Sequence, residues 1–351
     1  MKKLEQYFGY TEEDLRIFKD EFMEFLPERI IDSHVHLWNK EFFKSSIPAE
    51  RLDQNPFLDL GFEAFSFEDF KTIKDKLFPT KEYNGIFFGL PLKEMDLDKN
   101  NDYIQNICKA NNTYGLYVPD SNLKKIPADF FAKRFIGFKP YPDLVEYGAP
   151  KDFSKLDIDV SIFDFVSRNV LEFSEEYGLI LLLHIPGKDR LNDKRNIEEI
   201  RTIGTKYPNI KIILAHAGRS YCYEDIRESI NYIKDIKNLY VDTAMINNVL
   251  VLKVLLEELG PDRILYGSDF AVAALRGKNV DINNKHYFVT DTPKNWSLSS
   301  SYMKLESFTF FVYEIIRAIK RASCFTSTDK EKINNIFYGN IKRLIDNITA
   351  S

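Results

Sequence analysis

Residues Arg29–Trp38 read RIIDSHVHLW. An apolar start leads into two histidines placed two residues apart. On a β-strand, side chains at i and i+2 leave from the same face, so His34 and His36 are expected to project together from the end of one strand. Seven later stretches share the apolar character: Tyr83–Gly89 (YNGIFFG), Thr113–Val118 (TYGLYV), Phe135–Lys139 (FIGFK), Leu179–His184 (LILLLH), Lys211–His216 (KIILAH), Leu239–Asp242 (LYVD) and Ile264–Ser268 (ILYGS). Near-continuous apolarity, in place of alternation, is what strands covered on both faces require.

Amphipathic segments separate these runs. Ser161–Tyr177 carries Ile162, Phe165, Val166, Val170 and Phe173 at helical spacing. Ile197–Lys206, Tyr223–Lys237 and Asn247–Leu259 follow the same pattern, the last stopped by Gly260-Pro261. Strand and helix alternating eight times predict an α/β protein of the (β/α)₈ TIM-barrel class. A helix over Glu12–Phe25, with Thr11 as N-cap, is expected before the barrel, and another over Asp329–Ile348 closes the chain. Residues 1–28 thus form an N-terminal extension, and 29–351 a single barrel domain. Trp38–Phe65 and Phe270–Ser300 are long enough to rise over the C-terminal mouth, where a lid would sit. Asp164 and Asp242 stand where short polar side chains cap or turn.

Composition narrows the class further. The 351 residues are 44% hydrophobic, too many for a disordered chain, and 29% charged. Lys+Arg 48 against Asp+Glu 53 gives a formal charge of −5, which excludes a globally basic nucleic-acid binder but not a local basic pocket. Cys108, Cys222 and Cys324 are scattered, with no CxxC pair, so neither a disulfide framework nor a cysteine zinc site is expected. The first residues lack the apolar stretch of a signal peptide, and no window approaches the ~20 apolar residues of a membrane span. The expectation is a cytoplasmic protein that neither binds nucleic acid nor enters a membrane.

Four of the five histidines fall at strand ends: His34, His36, His184 and His216. Asp269 follows the eighth run directly. Parallel strands of a barrel end at one mouth, so these side chains should converge there. Imidazole nitrogens with one carboxylate oxygen suit Zn²⁺ and similar divalent metals. Singly, each has a structural alternative, a hydrogen-bonded core histidine or a helix-capping aspartate. Together they are hard to account for without a site. His286 lies outside any strand end and reads as a surface or lid residue.

IIDSHVHLW, GFKPYP, LLLHIPG, ILAHAGR, YVDTA and ILYGSDF resemble the successive strand motifs of the amidohydrolase superfamily, in particular its metal-dependent "amidohydrolase 2" branch. FYGNIKRLI, near the C-terminus, is similar to that branch's closing Asn-x-x-Arg-Leu helix. The resemblance implies a metal barrel in which His34, His36, His184 and Asp269 are ligands, with His216 beside the metal. It implies one divalent ion, commonly Zn²⁺ with Mn²⁺ or Fe²⁺ as alternatives, and homo-oligomers as a family habit. Members include lactonases, other hydrolases, hydratases and non-oxidative decarboxylases.

The leading expectation is hydrolysis of an ester, lactone or amide-like bond by metal-activated water, with Asp269 as proton carrier and His216 at the reacting oxygen. Lys139 matches, by resemblance, the position of a carboxylated lysine in binuclear members. The unmodified ammonium, binding a substrate carboxylate, is favoured because one metal is the branch's habit. Arg219 offers a fork for an anion. Lys188, Arg190 and Arg276 are further loop cations, and Tyr141, Trp38 and Trp296 are candidates for the pocket wall. A cationic mouth predicts an anionic small-molecule substrate. The rival readings are a decarboxylase or other lyase on the same site, and a metal-binding barrel without catalysis.

Overall fold

The computed structural model describes residues 8–52, 55–145, 159–298 and 308–350. Each of the eight apolar runs forms a strand: β1 Arg29–His36, β2 Glu82–Phe88, β3 Tyr114–Tyr117, β4 Phe135–Phe138, β5 Ile180–Leu183, β6 Lys211–Leu214, β7 Leu239–Asp242 and β8 Ile264–Leu265. They pair in sequence order, all parallel, in one eight-stranded sheet. The sheet closes where β8 meets β1. There Ser33 N–H donates to Tyr266 O (2.9 Å), Asp269 N–H to His34 O (3.0 Å) and His36 N–H to Phe270 O (2.9 Å). The protein is a TIM barrel with helices at both termini.

Two local features let this barrel form. Gly137 in β4 lies so close to β5 that a Cβ there would stand 2.1 Å from Ile180 O, so only glycine fits. In β1 the pairing with β2 slips between Asp32 and Val35, three residues against two. This bulge falls at Ser33 and His34, beside the cluster described below, a common place for bulges.

The helices depart from expectation where side chains cap the chain internally. Ser161–Tyr177 is two helices, Ile162–Phe165 and Arg168–Tyr177. Ser161 caps the first with Asp164, and Ser167 accepts from Val170 N–H to start the second. Tyr223–Lys237 likewise yields only Tyr223–Ile226 and Ile230–Ile233. Val249–Val254 continues as a π-helical stretch to Leu259, where Gly260 stops it at φ +87°.

The first helix runs Glu12–Ile17, with Thr11 and Asp14 capping each other, and continues in π form to Phe22. Phe18 and Phe22 seat it against Phe78 and Tyr313. The C-terminal segment starts at Lys330 under the Asp329 cap and ends in Asn340–Thr349. Asn340 of the NxxRL stretch donates to Pro261 O and Ile264 O, both 2.8 Å, fixing the entry to β8.

Two elements were not anticipated. The helix Phe311–Phe325 is buried along most of its length. The segment after β8 folds into β9 Gly277–Ile282 and β10 Lys285–Thr290, an antiparallel hairpin turned by Asn283-Asn284 at φ +51° and +59°, with β11 Ser297–Leu298 alongside. Ser299 and Ser300, the end of the long loop in the sequence reading, lie outside the described residues. No helix among the described residues is long and apolar enough to cross a membrane.

Candidate active site

The strand ends bring the histidines together as their spacing predicts. The His34 ring centroid is 5.3 Å from that of His36 and 5.0 Å from that of His216, and His216 is 5.3 Å from His184. Three of the rings are anchored through Nδ1: His34 to Asp242 Oδ2 (2.8 Å), His36 to Gly89 O (3.2 Å) and His216 to Ala244 O (3.1 Å). Each partner is an acceptor, so each Nδ1 carries the proton and each Nε2 keeps its lone pair.

His34 Nε2 and His36 Nε2 approach the same Asp269 oxygen at 3.3 and 3.5 Å. One ligand atom from each of these three buried residues lies within 4.8 Å of the others. His34 Nε2 and Asp269 Oδ1 have no hydrogen-bond partner among the described residues. Leaving a buried polar atom unpaired costs roughly 1–3 kcal/mol, which a shared cation would offset. Burial holds His34, His36 and His184 well below the ordinary imidazole range and His216 down to about 4. Neutral imidazoles are the form that ligates metal. The donor set fits a divalent ion.

Two carboxylates that sequence reasoning left aside organise the site. Asp242 accepts from the His34 ring, from His216 N–H (2.6 Å) and from Ala244 N–H (3.1 Å), so one buried group positions histidines from β1 and β6. Asp32 accepts from His34 N–H, Ser268 N–H, Ser268 Oγ and Tyr83 OH, tying β1 to β8 beneath the site. Burial raises the Asp32 carboxyl to about 7 against the pull of these donors. Their signal in the sequence is an acidic residue inside an apolar strand, which an N-cap or turn reading had absorbed for Asp242.

After β6 the chain makes a left-handed turn. His216, Ala217, Gly218 and Arg219 have φ of +56°, +49°, +70° and +61°. For each residue but glycine this conformation costs roughly 1–2 kcal/mol. Asp269, at +73°, shares the left-handed region. Strain of this kind collects at functional sites.

The other sequence candidates separate. His184 is partly exposed and borders the trio, its ring 4.6 Å from Tyr141 and its Nδ1 without a partner among the described residues. Lys139 is fully buried, and its Nζ has no hydrogen-bond partner among the described residues. Burial lowers its ammonium to about 8. Arg219 is buried and spends Nη1 on Ile185 O (3.2 Å) and Gly187 O (3.1 Å), holding the β5 loop. Its charge still reaches His184 and Tyr141.

Arg276 is not at the mouth: it pairs with Asp14 and with Gly9 O, anchoring the first helix. Lys188 points to solvent. Arg190 contacts His286 Nδ1 (3.2 Å), and His286, on β10, stacks on Tyr221 with ring centroids 4.4 Å apart. Trp38 and Trp296 are buried in aromatic packing within their own loops. Phe57, which sequence reasoning had not singled out, packs on the His36 ring at 4.5 Å.

Comparison with known proteins agrees with this geometry. The amidohydrolase family model Amidohydro_2 matches residues 31–285. Solved structures of similar fold include three with low identity. An amidohydrolase from Burkholderia multivorans with bound zinc has 10% identity, covers 90% of this chain and 98% of its own, and gives a TM-score of 0.54. A probable 2-pyrone-4,6-dicarboxylic acid hydrolase from Acinetobacter baumannii has 14% identity, covers 90% and 98%, and scores 0.52. The 5-carboxyvanillate decarboxylase from Sphingomonas paucimobilis has 14% identity, covers 91% and 99%, and scores 0.53. No curated protein matches. Barrel, family match and strand-end cluster agree: the chain belongs to the amidohydrolase family, a family of enzymes.

Proposed function

We propose that this protein is a metal-dependent hydrolase acting on an ester, lactone or amide-like bond of an anionic small molecule. The carrying observation is the pair of buried atoms His34 Nε2 and Asp269 Oδ1, without a hydrogen-bond partner among the described residues and set among rings whose other nitrogens are already anchored. His34, His36 and Asp269 would hold one divalent ion, with His184 approaching from the open side. Zn²⁺ is the first choice, as in the Burkholderia neighbour, and Mn²⁺ or Fe²⁺ the alternatives. Such an ion supplies a Lewis acid and brings the ionisation of water into the neutral range.

The chain's own groups do the rest. Asp269 takes the proton of the attacking water and returns it to the leaving group. His216 offers Nε2 as an acceptor, because Ala244 O already claims its Nδ1–H; it therefore orients water better than it polarises a carbonyl. Lys139, whose Nζ has no hydrogen-bond partner among the described residues, receives a substrate carboxylate, and Arg219 adds positive potential beside Tyr141. These cations support an anionic substrate although the whole chain is acidic. The free cysteines suit a reducing, cytoplasmic setting; a homo-oligomer follows family habit.

The second reading is a non-oxidative decarboxylase. Lys139 favours it too, since the same ammonium would hold a carboxylated ring against Tyr141, and one structural neighbour is a 5-carboxyvanillate decarboxylase. The test is a panel of small lactones and aromatic carboxylic acids, followed by acid release and by carbon dioxide release, on wild type and Asp269→Asn. Acid release that disappears in Asp269→Asn supports hydrolysis. Carbon dioxide release without acid release overturns it in favour of the lyase.

A further inference from the structure

The loop after β1 is bound to the rest of the mouth on several sides. Its neck is closed by Trp38 and Phe65, which exchange backbone hydrogen bonds of 2.9 and 3.0 Å. Along its first part, Lys44 N–H donates to Glu94 O (2.8 Å) and Asp96 N–H donates to Phe42 O (2.7 Å), joining it to the loop after β2. On the far side, Lys294 Nζ reaches Leu60 O (2.9 Å) and Asn295 N–H reaches Asp59 Oδ2 (2.9 Å), joining it to the segment after β8.

At its centre is a buried ion cluster. Arg51 donates through Nε and Nη2 to both oxygens of Glu94 (2.7 and 3.1 Å), and through Nη2 to both oxygens of Asp143 (2.9 and 2.7 Å). Asp143 also accepts from Lys93 N–H at 3.1 Å. The three residues are only 5, 7 and 6% exposed. Arg51 comes from the loop after β1, Glu94 from the loop after β2 and Asp143 from the loop after β4. Burying one cation with two carboxylates is a costly way to gain stability, since apolar residues of similar volume do as well. What it adds is geometry: a bidentate guanidinium fork fixes the approach of its partners in a way apolar packing does not. A few residues beyond Arg51, the same loop lays Phe57 on the His36 ring.

We propose that Arg51 is a positioning residue: with Glu94 and Asp143 it latches the β1 loop over the mouth, seats Phe57 against His36 and limits how fast the site exchanges its ion and ligands with solvent. The exchange half of this inference rests on the metal reading above; the latch itself does not.

The test follows amide hydrogen exchange over residues 38–60 and, in the metal-loaded protein, the rate of metal loss to a chelator. The variants are Asp143→Asn, which leaves the neutral Arg51–Glu94 pair intact, and Arg51→Met. The expected result is exchange in the loop faster by about tenfold or more, the ratio that ~1.4 kcal/mol of latch free energy would give. Metal loss should accelerate in parallel, while amides of the barrel strands keep their wild-type rates. If Arg51→Met does not fold, Asp143→Asn carries the test. Loop exchange at the wild-type rate in the folded variants overturns the latch. Faster loop exchange with unchanged metal loss overturns its control of the site. Wild-type protein without metal is a failure of the metal reading instead, and loop exchange then decides on the latch alone.

Discussion

Asp242 shows how much of this site rests on one fully buried side chain. It fixes the His34 tautomer and also holds the backbone at the start of the left-handed turn that carries His216. Asp242→Asn should keep the volume and the fold but place an amide N–H₂ or a weaker acceptor against the His34 Nδ1–H. Loss of such a carboxylate partner typically lowers metal affinity by about 10–100-fold. Competition against a chromophoric chelator measures this, and affinity equal to wild type would show that His34 is oriented by something else.

The same residue marks a boundary of what the sequence reveals. Histidines at strand ends are conspicuous because few other roles put them there. An aspartate at a strand end serves as cap, turn or support with equal ease, and only the fold separates these. Arg276 shows the complementary limit. Its loop position suggested a mouth cation, but its partner Asp14 lies far away along the chain, and local context holds no sign of that pairing.

Among the elements, all eight barrel strands were visible because strands covered on both faces leave an apolar run with little ambiguity. The helices were less so. Ser161 and Ser167 are two caps within one apolar periodicity, and the second ends the helix that the periodicity would continue. The helix Phe311–Phe325 does carry a stripe, with Glu314, Arg317, Lys320 and Arg321 on one side and its apolar residues on the other, but it lies beyond the eighth strand, where the strand–helix alternation gives no cue to look for it.

This helix is also held by charge. Glu314 is bonded to Thr309 Oγ1 (2.7 Å), to Lys278 (2.9 Å) and to Arg317, which in turn grips Glu21 of the first helix (2.7 and 2.6 Å). Burial alone would raise the Glu314 carboxyl, but Lys278, Arg317 and Thr309 hold it below its ordinary 4.5. A carboxyl lowered in the folded state contributes stability that is complete above the unfolded value and disappears as pH falls through the folded one. Acid unfolding followed by circular dichroism should therefore draw on this cluster only below pH 4.5. Arg317→Met should move the acid midpoint upward and lower stability at neutral pH by roughly 1–3 kcal/mol. An unmoved midpoint would remove the cluster from the stability account.

For the molecule as a whole, the two ends of the barrel differ in kind. At the mouth lie the left-handed turn that carries His216, the atoms His34 Nε2, Asp269 Oδ1 and Lys139 Nζ, which have no hydrogen-bond partner among the described residues, and the neutral rings of His36 and His184. Elsewhere, capping boxes, the Asn340 clamp and the Glu314 cluster satisfy their polar groups. A chain of net charge −5 therefore presents a mouth whose buried cations, Lys139 and Arg219, oppose its overall sign. Single buried polar atoms without a hydrogen-bond partner among the described residues occur elsewhere too, at Ser174 and Ser323 among others, but at the mouth an imidazole, a carboxylate and an ammonium lie together in that state, which is what a binding site requires. The central claim is that this site holds a divalent ion. Metal content per chain, by elemental mass spectrometry on protein purified without a metal-binding tag, tests it most directly. The account predicts about one equivalent in wild type, the single ion that one donor set of this kind holds, and its loss in His36→Ala. Protein that carries none, even after reconstitution with zinc or manganese, would contradict it.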